Sequence, residues 1–151
     1  SKRAETVELR EPYEALILAS IVEKETGIAS ERSEIAGVFS RRLIKGMRLQ
    51  TDPTVIYGLG SAFDGNLTRR HLRDEGNSFN TYRIAGLPPT PIALPGREAI
   101  TASLNPKGGD TLYFVAKGDG SHAFSRTLSE HEENVRRYQL KRRKDYRSSP
   151  K

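Results

Sequence analysis

The stretch LILASIVEKETGIASERSEIA, Leu16 to Ala36, sets a carboxylic acid where an apolar side chain is expected. At roughly 100° per residue, Leu18, Ile21, Val22, Glu25 and Ala29 share one face of a helix, whereas Glu23 points roughly 160° away. A carboxylate on a buried face is costly unless it is paired, neutralised or put to use. Two readings of Glu25 are therefore open: the buried partner of some Arg or Lys, or a working acid. Burial disfavours the charged form, and a carboxyl raised in this way donates a proton near neutral pH. Cleavage of a glycosidic bond needs such a donor, because the leaving oxygen must be protonated.

Other chemistries have less support. His71, His122 and His131 are scattered, none in HExxH-type spacing, and cysteine is absent, which removes thiolate metal sites and disulfide scaffolds. No metal or other cofactor is expected. There is no G-x-x-x-x-G-K-[ST] phosphate loop and no G-x-S-x-G elbow. The formal charge of +6 favours polyanionic partners. Much of it lies in RRYQLKRRKDYR, Arg136 to Arg147, with seven Lys or Arg. That run reads as a solvated helix face and tail, and without a recognition helix or stacking aromatics nucleic acid is not expected as a partner.

The elements that must position Glu25 follow from spacing and punctuation. Pro12 suits the first turn of a helix running to about Thr26, with Gly27 as its stop. Ser30 is the expected cap of a second helix, in which Ile35, Val38, Phe39 and Arg42–Leu43 recur before Gly46. Asp52 and Pro53 read as cap and first position of a short helix ending near Gly58 or Gly60, and Thr68 as the cap of another. NTYRIAGLPPTPIALPG, Asn80 to Gly96, holds four prolines and two glycines and cannot be a helix interior or a central strand. Because Tyr82, Ile84, Leu87, Ile92 and Leu94 call for burial, it is expected to be a stiff ordered loop, not a linker. GREAITASL predicts a helix, TLYFVAKGDGSHAFSRT a hairpin around Gly-Asp-Gly, and Ser129 caps the last helix.

The fold class expected is therefore α+β: helices packed around a small antiparallel hairpin in a single catalytic domain. The 151 residues suit one domain with its own core. Its bounds are residues 12–144, with an N-terminal flank at 1–11 and a basic tail at 145–151. No apolar run approaches the ~20 residues of a membrane span. The opening SKRAETVELREP reads as an internal start, so any anchor or export signal would lie outside the sequence.

SIVEKET, MRLQTDPTVIYGLG, FNTYRIAGLPPTPIALPG, LYFVAKGDGSHAFSRT and the final helix resemble, in order and over about Glu11 to Tyr138, the YceG-like (MltG) endolytic murein transglycosylases. The resemblance implies an enzyme that cuts nascent glycan strands internally, between N-acetylmuramic acid and N-acetylglucosamine, leaving a 1,6-anhydro-muramyl end. It implies peptidoglycan strands as partners, with cell-wall synthases as possible further ones. It also implies attachment to the inner membrane by a single N-terminal helix, which this sequence lacks, with the catalytic domain in the periplasm. The family's glutamate corresponds to Glu25, which the helix-face argument selects independently. Tyr82 becomes an orienting or charge-stabilising hydroxyl, or else a core tyrosine. Gln50, Thr51 and Asp52 become sugar-binding groups or simply caps. Asn80 and Thr81 are expected to line the cleft, Gly86 to Pro89 to shape its wall, and His122 and Phe124 to form its rim. Glu23 is expected to be exposed or salt-bridged, and dispensable. Phe79 stands where the family often carries a second tyrosine, and the LysM-like domain that usually precedes this region is missing. Two rival readings remain: a muramidase using water positioned by Asp52, and a non-catalytic module binding glycan or nucleic acid.

Overall fold

A computed structural model describes residues 12–139; the flank at 1–11 and the basic tail lie outside the described residues. Among the described residues, six α-helices, a 3-10 turn and a two-stranded antiparallel sheet make up an α+β domain. Helix α1 (Pro12–Glu25) begins at the expected proline and ends one residue short of Thr26. Its inner face, Ala15, Leu18, Ala19, Ile21 and Val22, is almost wholly buried. It packs against α2 (Ala29–Lys45) and α5 (Arg97–Leu104), whose Ala99 and Ala102 permit close approach. Phe39 of α2 closes this core and meets Phe114 edge-on, with ring centroids 5.5 Å apart.

Three caps fall elsewhere than the sequence predicts. Helix α2 starts at Ala29 with Ile28 in the cap position, so Ser30 lies inside it. Thr26 Oγ1 accepts the Ile28 N–H there (3.0 Å). Helix α3 (Asp52–Leu59) has Thr51 in the cap position, with no side-chain cap, and Asp52 inside the first turn. Helix α6 (Leu128–Gln139) is capped by Thr127, not Ser129: Thr127 Oγ1 accepts from Glu130 N–H, and the Glu130 carboxylate accepts from the backbone N–H of Thr127 and Arg126. This reciprocal pairing is a capping box. Thr68 caps α4 (Arg69–Arg73) as predicted, and Gly46 ends α2 in the left-handed conformation that glycine adopts freely (φ 74°).

Strands β1 (Tyr113–Ala116) and β2 (His122–Ser125) pair antiparallel, Ala116 opposite His122. Two arginines fasten this hairpin and its approach to α2. Arg41 donates to Thr111 O (2.7 Å), Thr111 Oγ1 (2.7 Å) and Lys107 O (2.8 Å). Arg42 donates to Leu112 O (2.7 Å) and Arg48 O (2.8 Å). Gly37 allows the contact: a Cβ there would stand 2.5 Å from the Lys107 carbonyl oxygen.

The proline-rich stretch is an ordered loop without regular structure. Asn80 is fully buried, and its amide nitrogen donates to the carbonyls of His71, Leu72 and Asp74 at 3.0–3.2 Å. Further on, buried Ser20 accepts the Ile92 N–H (2.9 Å), and Glu23 accepts the Gly96 N–H (2.8 Å) at the start of α5. Glu23 has no ion pair among the described residues; it ties the loop's end to α1. Ile92 is buried as expected, but Leu94 is 93% exposed. The prolines on either side fix the course of the chain without requiring that side chain to turn inward.

Ser20→Ala removes the acceptor for a buried N–H. It should lower unfolding stability by about 1–3 kcal/mol, read as a shift in urea midpoint at unchanged slope.

Candidate active site

Glu25 ends α1 at the wall of a cleft of about 290 Å³, which Arg42, Gln50, Asp52, Tyr82, His122 and His131 also line. Glu25 is 8% exposed. Thr51 Oγ1 donates a hydrogen bond to Oε2. Oε1 has no hydrogen-bond partner among the described residues and is not enclosed, so it is the oxygen open to the cleft. Burial raises the Glu25 pKa to about 7; the Thr51 hydroxyl opposes the shift, and the nearby Asp52 charge adds to it. Near neutrality the group is thus a reversible proton carrier.

A knot of threonines fixes this carboxyl. Thr81 Oγ1 accepts the Thr51 N–H (2.9 Å) and lies 2.8 Å from Thr54 Oγ1, which in turn donates to Thr51 O (2.8 Å). Thr51, Thr54 and Thr81 are all buried. Gln50, immediately before the knot, has φ 52°, a left-handed conformation that costs a non-glycine residue on the order of 1 kcal/mol. That turn sets exposed Gln50 on the cleft wall and the Thr51 side chain on Glu25.

Tyr82 donates its hydroxyl to Asp52 Oδ1 (2.7 Å). Burial and the adjacent Asp52 carboxylate hold the phenol well above its ordinary pKa, so it stays protonated as a donor. His122 is buried: its N–H and Nδ1 both meet Glu31, at 2.9 Å from Oε2 and Oε1 respectively, and its ring stands edge-on to Phe114.

The structure thus brings Glu25, Gln50, Asp52, Tyr82 and His122 to one cleft. Thr51 touches Glu25 from behind. Asn80 and Thr81 do not line the cleft. Their side chains are consumed in holding α4 and the Thr51 backbone, which is how a polar residue is accommodated at zero exposure. Phe124 packs on the core beside Phe114 instead of reaching the cleft. Residues 86–89 do not line it either.

The YceG-like family model matches residues 1–137. The chain belongs to the YceG-like family. An endolytic murein transglycosylase of Bacillus subtilis is 41% identical over 126 residues, covering 83% of this chain and 34% of that protein. Its namesake in Streptococcus pneumoniae is 34% identical, covering 81% and 23%. The chain therefore spans about a third or less of the curated relatives' length. The crystal structure of a yceG-like protein from Listeria monocytogenes superposes with a TM-score of 0.75 at 43% identity, covering 81% of this chain and 39% of that one.

In this YceG-like domain several cleft residues escape the sequence reading as site residues, among them Arg42, His131 and Val135. The signal for Arg42 was present. Ile35, Val38 and Phe39 precede it at helical spacing, so it interrupts a greasy stripe as Glu25 does. His131 and Val135 come to the cleft only through the packing of α6 on the hairpin.

The raised pKa of Glu25 carries a sign. Unfolded, the carboxyl releases its proton near 4.5; folded, near 7. The native state therefore loses stability as pH climbs from about 4.5 to 7, and stays lower above. Glu25→Gln should stabilise the fold by about 2–3 kcal/mol at pH 8 and by much less at pH 4.5, as read from paired denaturant titrations at the two pH values.

Proposed function

We propose that this domain is the catalytic portion of an endolytic murein transglycosylase, the name its curated relatives carry. The observation that supports this most is Glu25: a carboxyl poised near pH 7, with one oxygen fixed by Thr51 and the other open to a polar cleft. Protonated Glu25 delivers its hydrogen to the oxygen between muramic acid and glucosamine as the C1–O bond breaks. The resulting carboxylate then takes the proton of the muramic C6 hydroxyl while that oxygen closes on C1. Atoms balance without water, and the carboxyl returns to its starting state.

Asp52 and Tyr82 flank this event. The Asp52 carboxylate opposes the positive charge developing at C1, and the Tyr82 hydroxyl bond holds it in place. Gln50 and His122 offer polar contacts to sugar substituents from the cleft wall. Murein strands are the substrate. The site of action is outside the cytoplasmic membrane, where those strands are made, with an N-terminal membrane anchor and contact with strand-making synthases as features of the longer protein. None of the described helices is long and apolar enough to cross a membrane.

Glu25→Gln should lower release of fragments from newly polymerised, uncrosslinked strands by about 10³-fold or more. Mass spectrometry of the wild-type products should show 1,6-anhydro-muramyl ends; reducing ends would mean that Asp52 directs a water instead. The wild-type kcat/KM should reach half its maximum near pH 7 and fall about ten-fold per pH unit above it, since only the protonated acid is competent. A level profile to pH 9 would remove Glu25 as the donor.

A further inference from the structure

Arg42 is 7% exposed, yet no carboxylate lies within ion-pair distance of it among the described residues. Its neighbours are neutral: Nε donates to Leu112 O, Nη1 donates to Arg48 O and Leu49 O, and the Tyr113 ring lies 5.1 Å from the guanidinium carbon. A guanidinium carries five N–H groups. The two on Nη2 have no partner among the described residues, and that nitrogen is not among the enclosed unpartnered atoms, so it opens to space. A buried cation without a counter-ion is costly unless something brings the charge.

The space it opens to is informative. A second depression of about 420 Å³, lined by Arg42, Gly46, Met47, Arg48, Gln50 and Ala85, shares Arg42 and Gln50 with the Glu25 cleft. Arg42 thus stands where the two join. The first cleft holds the carboxyls Glu25 and Asp52; the second has two arginines and no acidic residue on its walls. On the other side of Arg42, His131 stacks on Tyr113 (5.1 Å) with its Nδ1 buried and unpartnered, so no neighbour fixes that ring's tautomer. Burial, and then Arg42, hold its pKa below the ordinary value, which leaves Arg42 and Arg48 as the local positive charges.

We propose that the Arg42–Arg48 depression is a carboxylate subsite, which receives an acidic substituent of the sugar whose bond Glu25 cleaves. The assignment rests on the glycan-cleaving reading of the Glu25 cleft and adds a substrate class to it. The substituent projects from the sugar ring past Gln50, and its carboxylate takes the two free Nη2 hydrogens of Arg42, with Arg48 reinforcing the charge. On a muramyl residue such a carboxylate has two sources: the acidic residues of an attached peptide, or the lactyl group itself once the peptide has been removed. Both present the same planar, bidentate acceptor, which suits a guanidinium fork. Neutral glucosamine polymers offer none.

Glu25→Gln protein, titrated calorimetrically with short muramyl–glucosaminyl strands, tests this without turnover. Four ligands are used: strands bearing peptide, the same strands with the peptide carboxyls converted to amides, peptide-free strands with a free lactyl carboxylate, and their lactyl amides. The acid of at least one pair should bind about ten-fold or more tighter than its amide, and the pair showing the gap identifies the source. Adding Arg48→Gln should shrink that gap several-fold. The exposed Arg48 side chain makes no clamping bond, its carbonyl alone being used by Arg42. Equal binding within both pairs, or a gap that Arg48→Gln leaves intact, overturns the carboxylate subsite. Strands that bind alike, while the wild-type chain still releases 1,6-anhydro ends, would leave the cleavage reading standing. Absence of both binding and cleavage would remove the two together.

Discussion

The Thr51 hydroxyl on the Glu25 carboxyl is the contact on which the rest of the structure depends. A buried carboxyl has two common fates: an opposite charge pairs with it and lowers its pKa by one to three units, or desolvation wins and the group stays neutral. This domain follows the second course by a narrow arrangement. Among the described residues the only hydrogen-bond partner of the Glu25 carboxyl is an uncharged hydroxyl, enough to fix one oxygen but too weak to reverse the effect of burial. Arg42 lines the same cleft and could have formed the ion pair, but its Nε and Nη1 donors are directed to the carbonyls of Leu112, Arg48 and Leu49, and no ion pair joins it to Glu25. Had the guanidinium turned to Glu25, the acid would be locked in its ionised form.

Holding a hydroxyl against a carboxyl demands rigidity in segments far apart in the chain. Thr51 and Thr54 open α3, Thr81 belongs to the proline-rich loop, and Glu25 ends α1. The loop has no ladder of its own, so its order comes from side chains: Asn80 on three carbonyls of the α4 segment, Ser20 on Ile92, Glu23 on Gly96. Prolines narrow the unfolded ensemble of that loop and so reduce the entropy lost when it is tied down. The hairpin, too small to stand alone, is held to α2 by Arg41, Arg42 and the Glu31–His122 pair.

Helical periodicity, proline and glycine punctuation made the elements and the acid legible. One charged residue in an apolar stripe is a local signal, and Glu25 sits where the stripe of α1 meets the cleft. What escaped was long-range. Asn80 and Thr81 look like cleft residues because they are polar and stand in a distinctive loop, yet their hydrogen bonds run inward to partners up to 30 positions away. Glu31 interrupts the stripe of α2 as Glu25 does that of α1, but its partner His122 is 91 positions on. Spacing can show that a charge is out of place; only the fold shows whether it was answered by a histidine, by carbonyls or by a hydroxyl.

The half-tied carboxyl has a mechanical consequence. With Oε2 engaged, Oε1 is left as a lone relay point for the proposed reaction. The bridging oxygen and the C6 oxygen must then visit one and the same place in succession, one to collect the hydrogen and the other to surrender it. The saccharide, not the protein, must do the travelling: its ring has to rock about a stationary atom, folding C6 over C1 as the aglycone departs. A groove serving such a motion should grip the strand on either side and leave the pivoting unit loose.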